Sequence, residues 1–62
     1  MRVIGRTQSG QIVGYFERHA DEVVCEQIDA GFRHVAQVVL EGFRESVNWL
    51  YGLGAARLEI VG

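Results

Sequence analysis

Three side chains in this 62-residue sequence are of the types that hold metals or act as nucleophiles: His19, Cys25 and His34. Such chemistry needs these groups to converge, and the short spacings that achieve this on one element are H-x-x-x-H, C-x-x-C and E-x-x-H. None of these spacings occurs. The acidic neighbours Glu22 and Glu26 also disfavour the thiolate form of Cys25. We therefore expect no metal, no cofactor and no catalytic residue, and we place Cys25 in the core.

Arginine is the next residue type with chemical potential, because all six basic residues are arginines. Arg2, Arg6 and Tyr15 would share one face of an N-terminal hairpin, and Arg57 on a C-terminal strand would join them. Arginine beside an aromatic ring on an open sheet is typical of some binders of single-stranded nucleic acid. Glutamates share this face, however, and the formal charge of the chain is −2. Cross-strand Arg–Glu pairs on a solvated sheet therefore explain the pattern more simply, and nucleic-acid binding is the alternative.

The element that would present this face is a β-hairpin of residues 2–7 and 12–17, folded about the turn Ser9-Gly10. A two-residue loop gives the register Arg2 with Glu17, Val3 with Phe16, Ile4 with Tyr15, Gly5 with Gly14, Arg6 with Val13 and Thr7 with Ile12. This register makes the side that carries Val3, Ile12 and Phe16 a wall of the core. The Gly5–Gly14 pair leaves a shallow position where a helix could approach the sheet closely.

Residues 19–51 have the apolar periodicity of a helix. At about 100° per residue, apolar side chains fall in one stripe: Val24, Ile28, Phe32, Val35, Val39, Phe43, Val47 and Leu50. Asp21 and Glu22 suit the positive N-terminal end of such a helix. The pattern predicts one long amphipathic helix, with Gly31 and Gly42 as the two positions where it could kink.

Residues 55–61 alternate like a strand, which completes an α+β fold of order ββαβ in a single small domain, residues 1–62. A straight helix over residues 20–51 would span about 48 Å, whereas a seven-residue strand covers only about 23 Å. The last strand would barely reach its own hairpin. Either the helix breaks at a glycine, or two antiparallel chains exchange their last strands. The unbroken stripe favours the second alternative, an intertwined homodimer whose interface is the eight-residue stripe.

The functional expectation follows from these exclusions. No segment approaches the ~18 apolar residues of a membrane span, and a lone cysteine without a signal-like N-terminus suits the cytoplasm. We expect a non-enzymatic, dimeric interaction protein that binds a protein partner as a regulator, inhibitor or assembly factor. Trp49 and Tyr51, in an aromatic-rich segment, are the candidate partner contacts. Two other hypotheses stay open: a nucleic-acid-binding regulator that uses the arginine face, and a small oligomeric enzyme with an intersubunit site at His34 or Cys25.

Overall fold

The computed structural model describes residues 1–20 and 22–62; Asp21, which the periodicity places near the start of a helix, lies outside the described residues. The described elements are β1 (Arg2–Arg6), β2 (Ile12–His19), β3 (Glu22–Ile28), β4 (His34–Leu40), α1 (Phe43–Gly52) and β5 (Arg57–Val61). The strands form one antiparallel sheet in the order β4-β3-β2-β1-β5, and α1 packs on one face of it. The fold is α+β as expected, but its element order is ββββαβ and not ββαβ.

The long helix predicted for residues 19–51 is wrong, because this segment forms β3, β4 and α1. Val24 and Ile28 lie on β3, and Val35 and Val39 lie on β4. An interval of four residues returns a side chain to the same face of a helix and also of a strand, so the stripe is compatible with both. β-branched residues favour strands, and β3 and β4 are rich in valine. That preference favours strands in this segment.

Asp29 builds the turn that separates β3 from β4. Its Oδ1 accepts hydrogen bonds from the backbone N–H groups of Gly31 at 2.9 Å and Arg33 at 3.0 Å, and its Oδ2 accepts one from Arg33 Nε at 3.0 Å. The hydrogen bond from the Arg33 backbone is the main cause of the lowered pKa of Asp29. Gly42 is extended immediately before α1. The chain therefore turns at Gly31 and changes element at Gly42, the two positions where a kink was expected.

The β1–β2 hairpin keeps the predicted register from Arg2 to Gly5, including the Gly5–Gly14 pair. The loop itself differs from the prediction. Thr7 N donates to Gln11 O at 2.8 Å, which closes a three-residue loop in which Gly10 has φ +96. A bulge then restores the register, so Arg6 pairs with Ile12 and not with Val13. Val13 consequently takes the place in the core that was predicted for Ile12.

The glycine pair fixes the position of α1 on the sheet. An added Cβ at Gly5 would lie 3.2 Å from Leu50 Cδ2, and one at Gly14 would lie 3.1 Å from Leu53 Cδ1. The close approach expected at this pair is therefore present. The buried apolar residues beneath and beside the helix are Val3, Phe16, Val23, Cys25, Leu50 and Ala55. Phe43 adds an edge-to-face contact with Phe16, with ring centroids 5.6 Å apart.

The C-terminal strand β5 pairs with β1 of its own chain, from Arg2 with Val61 to Arg6 with Arg57. Strand exchange is not needed, because α1 has ten residues and spans only about 15 Å, so β5 easily reaches its own hairpin. Within residues 1–20 and 22–62, every helix is too short or too polar to span a membrane.

Candidate functional site

The face of the sheet opposite α1 carries all four residues of the arginine hypothesis, and we call it the open sheet face. Arg2 and Arg6 alternate along β1 with the buried Val3 and Gly5, so their side chains share this face. The Arg2 guanidinium carbon lies 4.9 Å from the centre of the Tyr15 ring. Arg57 is directly opposite Arg6 in the β1–β5 register. The structure thus brings the four residues to one surface.

Carboxylates on the same face pair with two of these arginines. Arg2 Nε donates to Glu17 Oε1 at 2.7 Å, and this hydrogen bond is the main reason that the pKa of Glu17 is lowered. Arg6 Nε and Nη2 both lie 3.3 Å from Glu59 Oε1. With Arg57, Glu22 and Glu26, the strands place three guanidinium groups and four carboxylates on this face. It therefore offers little net positive potential to a phosphate backbone.

A polar cluster occupies the middle of the open sheet face around Glu26. His34 Nδ1 lies 3.1 Å from Glu26 Oε2, and Gln37 Nε2 donates to Glu26 Oε1 at 2.7 Å. The Tyr15 ring meets the His34 ring edge to face, with centroids 6.0 Å apart. This arrangement orders the side chains of three neighbouring strands. His19, expected at a helix start, lies at the end of β2 with Nε2 3.3 Å from Glu17 Oε2.

The thiol of Cys25 is on the other side of the sheet, where it is fully buried as expected. Burial raises the pKa of this thiol, whose sulfur lies 3.8 Å from the backbone oxygen of Val23. Because adjacent residues of a strand point to opposite faces, the sheet separates Cys25 from the His34–Glu26 pair. Within residues 1–20 and 22–62, no three His, Cys, Asp or Glu side chains are grouped so that they could hold a metal ion.

The eight residues of the predicted interface stripe are dispersed. Leu50 is fully buried in the core, and the partly buried Val47 packs against the core. Phe32 lies in the β3–β4 turn, and 72% of its surface is exposed. Val35 and Val39 lie on β4, each 53% exposed. The last two share an edge of the sheet and not a helix face.

Trp49 and Tyr51 are likewise separated. Trp49 is partly buried and packs against the core, whereas Tyr51 is exposed. Two residues apart on a helix correspond to a rotation of about 200°, which places the two side chains on different sides of α1. The structure therefore does not bring Trp49 and Tyr51 together on one surface.

The most unusual surface is the outer edge of β4, which we call the β4 edge. β4 has a neighbour on one side only, and its seven residues, His34 to Leu40, include no charged residue and no proline. Proteins normally protect an edge strand with charges, proline or bulges, because its unpaired N–H and C=O groups can pair with another strand. The opposite edge, β5, carries Arg57 and Glu59. β4 has only a bulge at its start, between the pairs Gln27–Ala36 and Ile28–His34.

The sequence interpretation placed three residues of this edge region on the polar side of the long helix and assigned them to no site: Arg33 and Glu41, which flank β4, and Gln37 at its centre. These three residues lie along one edge of the sheet only if residues 34–40 form a strand. The Asp29-x-Gly31 turn signal and the valine content were the available evidence for that reading.

Comparisons with known proteins complete the description. The chain matches no protein-family model, and neither the curated proteins nor the solved structures contain a significant match to it.

Proposed function

We propose that this protein is a non-enzymatic interaction module that acts as a homodimer, and that two copies join by antiparallel pairing of their β4 edges. The observation that carries the proposal is an uncharged edge strand of seven residues with two half-exposed valines. Such a strand is a template for strand addition. A second copy supplies a strand of matching length and polarity.

The small core supports the same proposal. A domain of about 60 residues buries only about 60% of the surface that its unfolded chain exposes, and association is one of the usual ways to add stability. Six apolar residues are buried among residues 1–20 and 22–62, and several large apolar side chains there stay exposed at the sheet edges. Pairing of β4 would cover part of this exposed surface and satisfy backbone groups at the same time.

The role that we assign to the dimer is binding of a protein partner in the cytoplasm, as a regulator, inhibitor or assembly factor. The one cysteine is buried, which suits a reducing compartment. In the dimer, the charged β5 edge remains free on each copy, and Ile60 on it is 68% exposed. A dimer of this design would present two such edges. The separation of Cys25 from the His34–Glu26 pair by the sheet supports a non-enzymatic role.

Binding of nucleic acid by the arginine face is the second candidate. Arg6 and Arg57 line an open depression of about 360 Å³ together with Gly10, Leu58 and Glu59. Two guanidinium groups and one carboxylate line it, and Arg6 contacts that carboxylate. A single excess charge supports contact with one phosphate and not with an extended backbone, so this function ranks second. A mobility shift of a labelled single-stranded oligonucleotide at low salt, abolished by Arg57→Gln, would place it first.

Sedimentation of matched variants tests the proposed dimer. We expect the wild type to sediment at twice the 6.9 kDa chain mass. Val39→Lys places a charge on the β4 edge and should give a folded monomer. Val61→Lys is the control, since Val61 is 45% exposed on the opposite edge, and it should remain a dimer. A monomeric wild type at high concentration, or equal loss of the dimer in both variants, would contradict the proposal.

A further inference from the structure

We infer that the two β4 strands pair in one register, with Gln37 of each copy opposite Gln37 of the other. This inference rests on the proposed homodimer and specifies its geometry. A two-fold axis perpendicular to the sheet relates antiparallel copies, so one residue must face its own equivalent. A slip of one residue in the pairing would turn α1 of the second copy to the opposite face. The permitted registers are therefore those centred on a single residue, and Ala36, Gln37 and Val38 lie closest to the middle of β4.

The exposed valines favour the centre at Gln37. Val35 and Val39 are each two residues from Gln37, so this register places Val35 opposite the partner's Val39. Val39 pairs with Val24 of β3 on the open sheet face. An apolar row then crosses the interface from Val24 through Val39 to the partner's Val35. Both half-exposed valines of each strand become covered.

The side of the sheet that faces α1 also forms a continuous apolar row when Gln37 is the centre of the pairing. Cys25 pairs with Val38 on the side that faces α1, and Phe16 pairs with Cys25. The register places Val38 opposite the partner's Ala36. The buried row of the monomer core thus continues into the second copy with a small side chain at the junction.

Charge complementarity at the ends of β4 selects the same centre. Arg33 and Glu41 are each four residues from Gln37, but the bulge at Val35 moves Arg33 one position closer to the centre of the ladder. Arg33 therefore lies beside the partner's Glu41 as a diagonal neighbour, and symmetry makes two such pairs. The Arg33 side chain is 81% exposed and contacts Asp29 within its own turn. Glu41 is exposed. The bulge ends regular pairing near Val35, and the long side chains of Arg33 and Glu41 reach beyond it.

The neighbouring registers lack this match. A centre at Val38 places Glu41 opposite the partner's Val35, and a centre at Ala36, counted with the bulge, places Arg33 opposite the partner's Val38. Each sets a charge against a valine and leaves the opposite charge without a partner. Only the centre at Gln37 sets Val35 opposite the partner's Val39 and brings Arg33 beside the partner's Glu41.

Cysteine cross-linking distinguishes the registers. Directly opposed residues of antiparallel strands have Cα atoms about 4.5–5.5 Å apart, within the range that a disulfide bridges. Ala36→Cys, Gln37→Cys and Val38→Cys would each be oxidised with copper phenanthroline, which accepts the two electrons as two thiols lose their protons and form one S–S bond. Cys25 stays in place because it is fully buried.

We expect rapid formation of a covalent dimer for Gln37→Cys and at least about tenfold slower formation for the other two variants, because their thiols are not directly opposed. Fastest cross-linking of Ala36→Cys or Val38→Cys in a sample that sediments as a dimer would overturn the register and leave the dimer intact. Absence of cross-linking in all three variants, together with sedimentation as a monomer, would overturn the proposed function itself. The two failures are thus distinguishable.

Discussion

Reversal of the charges that flank β4 gives a quantitative prediction. Arg33→Glu sets Glu against the partner's Glu41 at both ends of the interface, and Glu41→Arg sets Arg against the partner's Arg33. An exposed ion pair contributes about 0.2–1 kcal/mol, and opposed like charges cost a similar amount. Loss of two pairs and creation of two repulsions therefore weaken the dimer by about 2 kcal/mol, or about 30-fold in Kd. The double variant restores both pairs with reversed polarity and should return to near the wild-type Kd.

The assay is sedimentation velocity over a dilution series at low and at high salt. The 30-fold effect of each single variant should shrink at high salt, because mobile ions screen exposed charges. Arg33→Glu also removes the contact with Asp29 inside the monomer, and the double variant does not restore that contact. Recovery of the dimer in the double variant therefore reports the pairing between copies. Additive weakening in the double variant would refute the reasoning, and Arg57→Glu on the far edge is the control, expected to leave Kd unchanged.

Two further predictions concern the monomer fold. Gly14→Ala should lower the free energy of unfolding by about 1–3 kcal/mol in urea titrations, because the new Cβ would lie 2.7 Å from the backbone oxygen of Glu26. Gly52→Ala is the control and should change stability little, because there is open space around Gly52. The pKa of Glu17 is lower in the folded chain than in the unfolded chain, because the ionised carboxylate accepts a hydrogen bond from Arg2. Glu17 therefore stabilises the fold at pH values above its unfolded-state pKa, and this contribution is lost as the pH falls through the folded-state pKa. Thermal melts from neutral to acidic pH should show a smaller loss for Glu17→Gln than for the wild type, and equal slopes would contradict this assignment.

Local patterns were sufficient to predict the N-terminal hairpin. Alternation fixed which residues of β1 and β2 face each other from Arg2 to Gly5, and the Gly5–Gly14 pair correctly indicated where a helix approaches the sheet. The loop was predicted one residue too short. The register survived because the bulge near Val13 compensates for the longer loop, which alternation cannot reveal.

The middle of the chain was mispredicted for a physical reason. Intervals of four residues, such as Val24 to Ile28 and Val35 to Val39, satisfy a helix and a strand equally. The deciding information was the capacity of Asp29 to accept hydrogen bonds from its own turn, which reverses the chain and lets β3 pair with β4. Val35 and Val39 were named as interface residues on the basis of a helix that does not exist, yet they lie on the edge that we propose as the interface.

The candidate site depends on relations that no local pattern contains. Whether Arg33 and Glu41 can meet across two copies depends on β4 being an edge strand, and that follows from the order of all five strands. The same holds for Arg6 and Arg57, which are far apart in sequence and directly opposite in the sheet.

Contacts between two copies at the β4 edge test the proposed homodimer most directly. A sample that mixes isotopically labelled and unlabelled chains reports, through filtered NOE spectra, only contacts between different copies. In the proposed dimer, we expect methyl contacts between Val35 of one copy and Val39 of the other. Intermolecular contacts from Ile60 or Val61 on β5 with none from β4, or no intermolecular contact at concentrations where the wild type is a dimer, would contradict it.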